Sequence, residues 1–215
     1  MRRVTVIVIA LVIIALAPAG GLQSAAPFDT YFTADTMRVD YFHSGGRGTE
    51  TVALDRVLND GTWPGNRTRL VDDTNLGKYL FQVIDRDTNQ VVYSRGFASI
   101  FGEWETTSDA KDSNGTFHES VRFPWPKRPV QVVLKKRDRQ NAFHEFWSTL
   151  VDPGSRFVNK ARVAPMANVV TLWESGPPAT KVDLLLLGDG YTEAEMPKFA
   201  ADARRLADTM FAVEP

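Results

Sequence analysis

The chain has 215 residues, 43% of them hydrophobic and 24% charged, with a formal net charge of -1. That composition is ordinary for a globular protein, too apolar for a disordered one, and gives no bulk attraction to nucleic acid or to an anionic membrane. Cysteine is absent, which excludes disulfides, thiolate metal sites and cysteine nucleophiles and leaves the core alone to carry stability.

The first stretch reads as an export signal over residues 1–26. Arg2 and Arg3 form a basic start, Val4 to Ala17 is apolar apart from Thr5, and Ala17-Pro18-Ala19 or Ser24-Ala25-Ala26 supplies small residues for cleavage. The apolar run is short against the ~20 residues of a bilayer span. The expectation is a secreted, periplasmic or cell-surface protein with no stable membrane span after cleavage, the alternative being an uncleaved signal anchor.

Residues 27–152 read as a β-domain. In MRVDYF (37–42) alternation places Met37, Val39 and Tyr41 on one face, and in KYLFQVID (78–85) it sets Tyr79, Phe81 and Val83 against Leu80, Gln82 and Ile84. Asp87-Thr88-Asn89-Gln90 reads as the turn of a hairpin into VVYSRGF (91–97). Further strands are expected at ESVRF (119–123), VQVVLKK (130–136) and FHEFWSTLV (143–151). Short strands with turn clusters between them predict a mainly β chain, an antiparallel sandwich of the immunoglobulin-like kind.

Pro153-Gly154, Ala164-Pro165 and Gly176-Pro177-Pro178 mark residues 153–180 as a linker, in which VVTLWE (169–174) can pair as one more strand. From 181 the pattern changes. Val182 and Leu184 to Leu187 run into Gly188-Asp189-Gly190, as expected of a strand buried on both faces. Met196, Phe199, Ala200, Ala203, Leu206, Ala207, Met210 and Phe211 then recur at helical spacing behind a capping box, Thr192 with Glu195. Residues 181–215 are therefore expected to be an incomplete α/β strand-turn-helix unit, the start of a truncated domain.

Few residues carry chemistry. His118-Glu119 and His144-Glu145 both begin like H-E-x-x-H, but Arg122 and Ser148 stand where a second histidine belongs. On a strand, positions i and i+4 lie about 13 Å apart, beyond the reach of one zinc ion. Both are read as surface or edge-strand His-Glu pairs. His43 completes the histidine inventory. Trp104 between Glu103 and Glu105 is either a sugar or peptide platform or a buried strand tryptophan with its carboxylates solvated opposite. Asp189 is either an acid at a sheet edge or a turn residue. Trp125 and Trp147 read as core. Two sequons, Asn66-Arg67-Thr68 and Asn114-Gly115-Thr116, are expected in surface loops. No catalytic or metal residue is assigned.

The blocks FDTYFTADTMRVDYFHSG (28–45), LVDDTNLGKYLFQVID (70–85), YSRGFASIFGEWETT (93–107) and FHESVRFPWPKRPVQVVLKKRD (117–138) resemble the N-terminal domain of the IgA-peptidase-type zinc metallopeptidases, metallopeptidase family 64. KVDLLLLGDGYTEAEMPKFAADARRLADTMFAVEP (181–215) resembles the first strand and helix of that family's catalytic domain. The resemblance implies a β-sandwich ahead of a zinc-dependent peptidase domain acting on protein or glycoprotein. Its H-E-x-x-H helix has no counterpart in these residues, so zinc is expected only in a full-length relative and this chain is expected to be inactive alone. A stand-alone secreted binding or adhesion module is the alternative.

Overall fold

The computed structural model describes residues 27–162 and 169–213; the export-signal reading of 1–26 falls outside them. A single helical turn, α1 (Phe28–Tyr31), leads into two long strands, β1 (Phe32–Gly46) and β2 (Thr49–Thr62). The hairpin β3 (Tyr79–Asp85) and β4 (Val91–Phe97) follows. Next come the short helix α2 (Ile100–Trp104), then β5 (Gly115–Pro126), β6 (Val130–Arg137), β7 (Phe143–Val151) and β8 (Val158–Arg162). The helix α3 (Met196–Phe211) ends the described chain.

The strands form two four-stranded sheets, in the orders β5-β1-β2-β8 and β4-β3-β6-β7. Every pairing is antiparallel except β2 with β8, which is parallel. One core lies between the sheets. From the first come Met37, Val39, Tyr41, Val57, Val121 and Phe123, and from the second Phe81, Val83, Val130, Val132 and Leu134. The alternation expected from the sequence is the alternation observed, since period two sends every second side chain inward. Trp125 and Trp147 pack against the same core while partly exposed.

The β3–β4 turn is built by its own residues. The Asp85 carboxylate accepts from the Thr88 N–H and hydroxyl, and Asn89 takes the left-handed conformation, φ 55°, which asparagine tolerates better than most residues. Pro124 and Pro126 lie within β5, an edge strand of its sheet, where a missing N–H costs least.

Three expectations change. Residues around Trp104 form α2 rather than a strand, because Ser99 caps it, its Oγ accepting from the Gly102 N–H. Part of the expected linker, Val158–Arg162, is a strand of the sandwich. Val182–Leu187 and 169–174 enter no ladder among the described residues. A strand is stable only beside another, and Leu184, Leu185 and Leu187 instead stand 51%, 69% and 83% exposed. The capping box forms as expected, with the Glu195 carboxylate accepting from the Thr192 N–H and hydroxyl ahead of α3.

Candidate functional site

Period two carries three ionisable residues into the sandwich along with the apolar ones. His43 continues the face of Met37, Val39 and Tyr41, Glu119 that of Val121 and Phe123, and Lys136 that of Val130, Val132 and Leu134. They meet at one end of the core. His43 is 1% exposed, with Nδ1 3.0 Å from Glu119 Oε2 and Nε2 2.8 Å from Glu50 Oε1. The Lys136 ammonium pairs with Glu50 and lies 3.0 Å from Glu105, which also pairs with Lys78. Phe101 stacks on the imidazole at 4.1 Å between centroids, and Tyr79 approaches it edge-on at 5.6 Å.

The electrostatics follow from that geometry. Burial disfavours the charged imidazole, but the bonds to Glu119 and Glu50 outweigh it and raise the His43 pKa above its ordinary value. Burial likewise opposes ionisation of Glu50 and Glu119. Bonds from His43, joined by Lys136 at Glu50 and the Phe101 N–H at Glu119, hold both below the usual carboxylate range. Lys136 is raised, burial being overcome by Glu50 and Glu105. Burial, aided by facing carboxylates, pushes the Tyr41 and Tyr79 phenols far up, so both stay neutral.

Glu105 belongs to this cluster. Glu103 is exposed, and Trp104 is half-buried, with Phe101 at 5.9 Å and Phe117 at 5.6 Å between centroids. The carboxylates flanking Trp104 thus have different surroundings, which a helical turn permits and a strand does not. Asp189 is exposed in an irregular segment, followed by Gly190 at φ 80°. Glu119 is no surface partner of His118; alternation sends it inward while His118 stays outside, 3.1 Å from Asp55. His144 is exposed and 2.7 Å from Asp138. Asn66 and Asn114 are both exposed.

On the outer face, Arg38, Arg56 and Arg122 interleave with Asp40, Asp55 and Asp60. Asp40 lies at the centre, its Oδ1 2.8 Å from Arg38 Nε and its Oδ2 2.8 Å from Arg56 Nε.

The family model described as Peptidase M64 N-terminus matches residues 27–148, covering the sandwich through most of β7. That described as IgA Peptidase M64 matches residues 170–215. The chain belongs to the M64 peptidase family. No curated protein matches it.

Zinc, the metal this membership implies, does not fit the residues at hand. Among the described residues, Asp40, Asp55 and His118 are the one group with three donor atoms close enough together. Both Asp40 oxygens already serve guanidinium groups, and Arg56 also lies 3.6 Å from Asp55. A dication there would face those fixed positive charges and displace their bonds, and one imidazole is a poor start for a zinc site. A zinc site filled at 100 times its Kd would add about 2.7 kcal/mol of stability. We expect zinc titrated into this M64 chain to leave the thermal midpoint unmoved.

Proposed function

We propose that this chain is the N-terminal, non-catalytic portion of a secreted zinc metallopeptidase. The sandwich handles protein or glycoprotein substrate or holds the enzyme at a surface, and cleavage is carried out by peptidase residues other than these. The carrying observation is the order of the two family matches, sandwich first at 27–148 and peptidase second at 170–215. Support comes from the absence of H-E-x-x-H anywhere in the 215 residues and from the misfit of zinc to the surface cluster.

Exposed apolar side chains in the peptidase piece agree with this reading. Leu184, Leu185, Leu187, Leu206, Met210 and Phe211 all stand at least 46% exposed, and apolar surface of this density marks a face that another element covers. The basic start, apolar run and small residues of 1–26 support export.

Two preparations test the proposal: this chain, and the same chain together with the remainder of an M64 peptidase domain. Each is assayed on a protein substrate with and without a zinc chelator. We expect no chelator-sensitive cleavage from the chain alone and clear cleavage from the combination. Chelator-sensitive cleavage by the chain alone would overturn the proposal.

A further inference from the structure

The segment 98–114, which carries α2, closes the end of the sandwich where the charged cluster lies. Most of its backbone bonds are internal turns, such as Glu105 N–H to Phe101 O and Thr107 N–H to Trp104 O. Among the described residues, one backbone–backbone bond joins it to the sandwich, at the β1–β2 turn, where the Arg47 N–H donates to the Ala110 carbonyl. Its remaining polar anchors are side-chain bonds, and most belong to the cluster. Glu119 Oε1 accepts from the Phe101 N–H at 3.0 Å, Lys78 donates to the Gly102 carbonyl at 2.8 Å, and Glu105 pairs with Lys78 and Lys136.

Counting charges shows what holds these anchors. Three carboxylates, Glu50, Glu105 and Glu119, face two ammonium groups, Lys78 and Lys136. Neutrality therefore needs a third cation, and His43 is the group placed to supply it. Both ring nitrogens lie within 3.0 Å of a carboxylate oxygen, an arrangement in which both must donate. A neutral ring would turn one lone pair toward a carboxylate in a low-dielectric interior.

The two contacts are unequal. Glu50 keeps Lys136 when the proton leaves. Glu119 keeps the Phe101 N–H and the Tyr41 phenol beside it, but among the described residues it has no second cation. Glu119 is therefore where uncompensated charge appears, and it is the residue that holds the start of α2.

We propose that His43 is a pH-operated latch: its imidazolium holds segment 98–114 shut through Glu119, and losing the proton frees that segment while the two sheets stay folded. The groups facing His43 from each packed element enter this balance. They are Tyr41 on its own strand, Glu50 on β2, Lys78 and Tyr79 at β3, Glu105 after α2, Glu119 on β5 and Lys136 on β6. The aromatic rings of Phe101 and Phe146 complete its surroundings. Opening carries the Glu105 carboxylate away and leaves Glu50 and Glu119 facing Lys78 and Lys136, a set already neutral without the imidazolium, so opening releases a proton and the open population rises with pH. It climbs by up to tenfold per unit until the closed-state value is passed, then levels.

Amide hydrogen exchange tests this between pH 5 and 9, each peptide being normalised to its unstructured rate. We expect protection of 98–114 to fall at least tenfold while that of β3 holds. Equal loss in both segments, or none in 98–114, would overturn the latch. Glu119→Gln supplies the second arm. Its amide can accept from the Phe101 N–H and donate to a neutral His43, so the pH effect on 98–114 should vanish; a wild-type profile in this variant refutes the proposal. Should that variant not fold, imidazole nitrogen resonances of His43 in the wild-type chain decide. A doubly protonated ring at pH 6 whose midpoint matches the loss of protection supports the latch, and a ring already neutral at pH 6 or a separate midpoint overturns it.

Discussion

Truncating Glu119 to alanine will destabilise the sandwich by about 3–5 kcal/mol, the usual loss when one partner of a buried ion pair is removed. The side chain is only 7% exposed and engages the His43 imidazole at 3.0 Å, so little water is at hand to replace it. His43 would then lose one of its two carboxylates, and the Phe101 N–H its acceptor. For a domain of this size the loss lowers the thermal midpoint by on the order of 10 °C. An exposed pair supplies the contrast. Arg122, half-exposed opposite Asp60, should cost at most about 1 kcal/mol when changed to alanine. Equal effects from the two substitutions would show that the buried cluster is no more than surface charge.

The pH of that measurement matters, and its sign follows from the shifts. His43 is raised, so its contribution is complete below about 6.5 and is lost as pH climbs through its folded value. Glu50 and Glu119 are lowered, so theirs is complete above about 4.5 and is lost as pH falls through their folded values. The wild-type chain should therefore be most stable between roughly pH 4.5 and 6.5, and the cost of Glu119→Ala should be largest there.

Much of this cluster is legible in the sequence. The alternation that marks Met37, Val39 and Tyr41 as inward reaches His43 in one further step, and Val121 with Phe123 implies Glu119 in the same way. Reading His118 and Glu119 as one surface pair hid that signal, because strand neighbours point to opposite faces. Segment 98–107 was harder. Five helical residues are too few to display a 3.6 period, and Phe101, Glu103 and Glu105 mimic a strand, so Ser99 as a cap was the one local clue. β8 was hidden for a different reason. Its pairing with β2 is parallel and distant in sequence, and only Val158 in it is buried. The opposite error arose at Leu184–Leu187, where an apolar run predicts burial but cannot supply the neighbouring strands that burial needs.

Those leucines carry the second large expected effect. Changing Leu184, Leu185 and Leu187 together to serine should leave the thermal midpoint of the sandwich within about 3 °C, because each surface change away from special features costs within roughly 0.5 kcal/mol and 1 kcal/mol moves the midpoint of a chain this size by about 2–4 °C. Among the described residues, the hydrogen bonds and aromatic contacts of 170–213 run within that stretch, as with Tyr191 to Asp202, Tyr191 against Phe199, and Trp173 against Phe211. Association with the remainder of an M64 peptidase domain should respond very differently. Burying a leucine fully is worth about 1.5–3 kcal/mol, so with their present partial cover the three together supply roughly 3–6 kcal/mol. That corresponds to about 10² to 10⁴ in affinity, readable by titration calorimetry against the isolated remainder. The opposite pattern, a sandwich midpoint that drops by several degrees with association unchanged, would mean that the leucines cover the sandwich itself. In that event residues 182–213 complete a self-sufficient binding module, and the peptidase reading of their apolar surface fails.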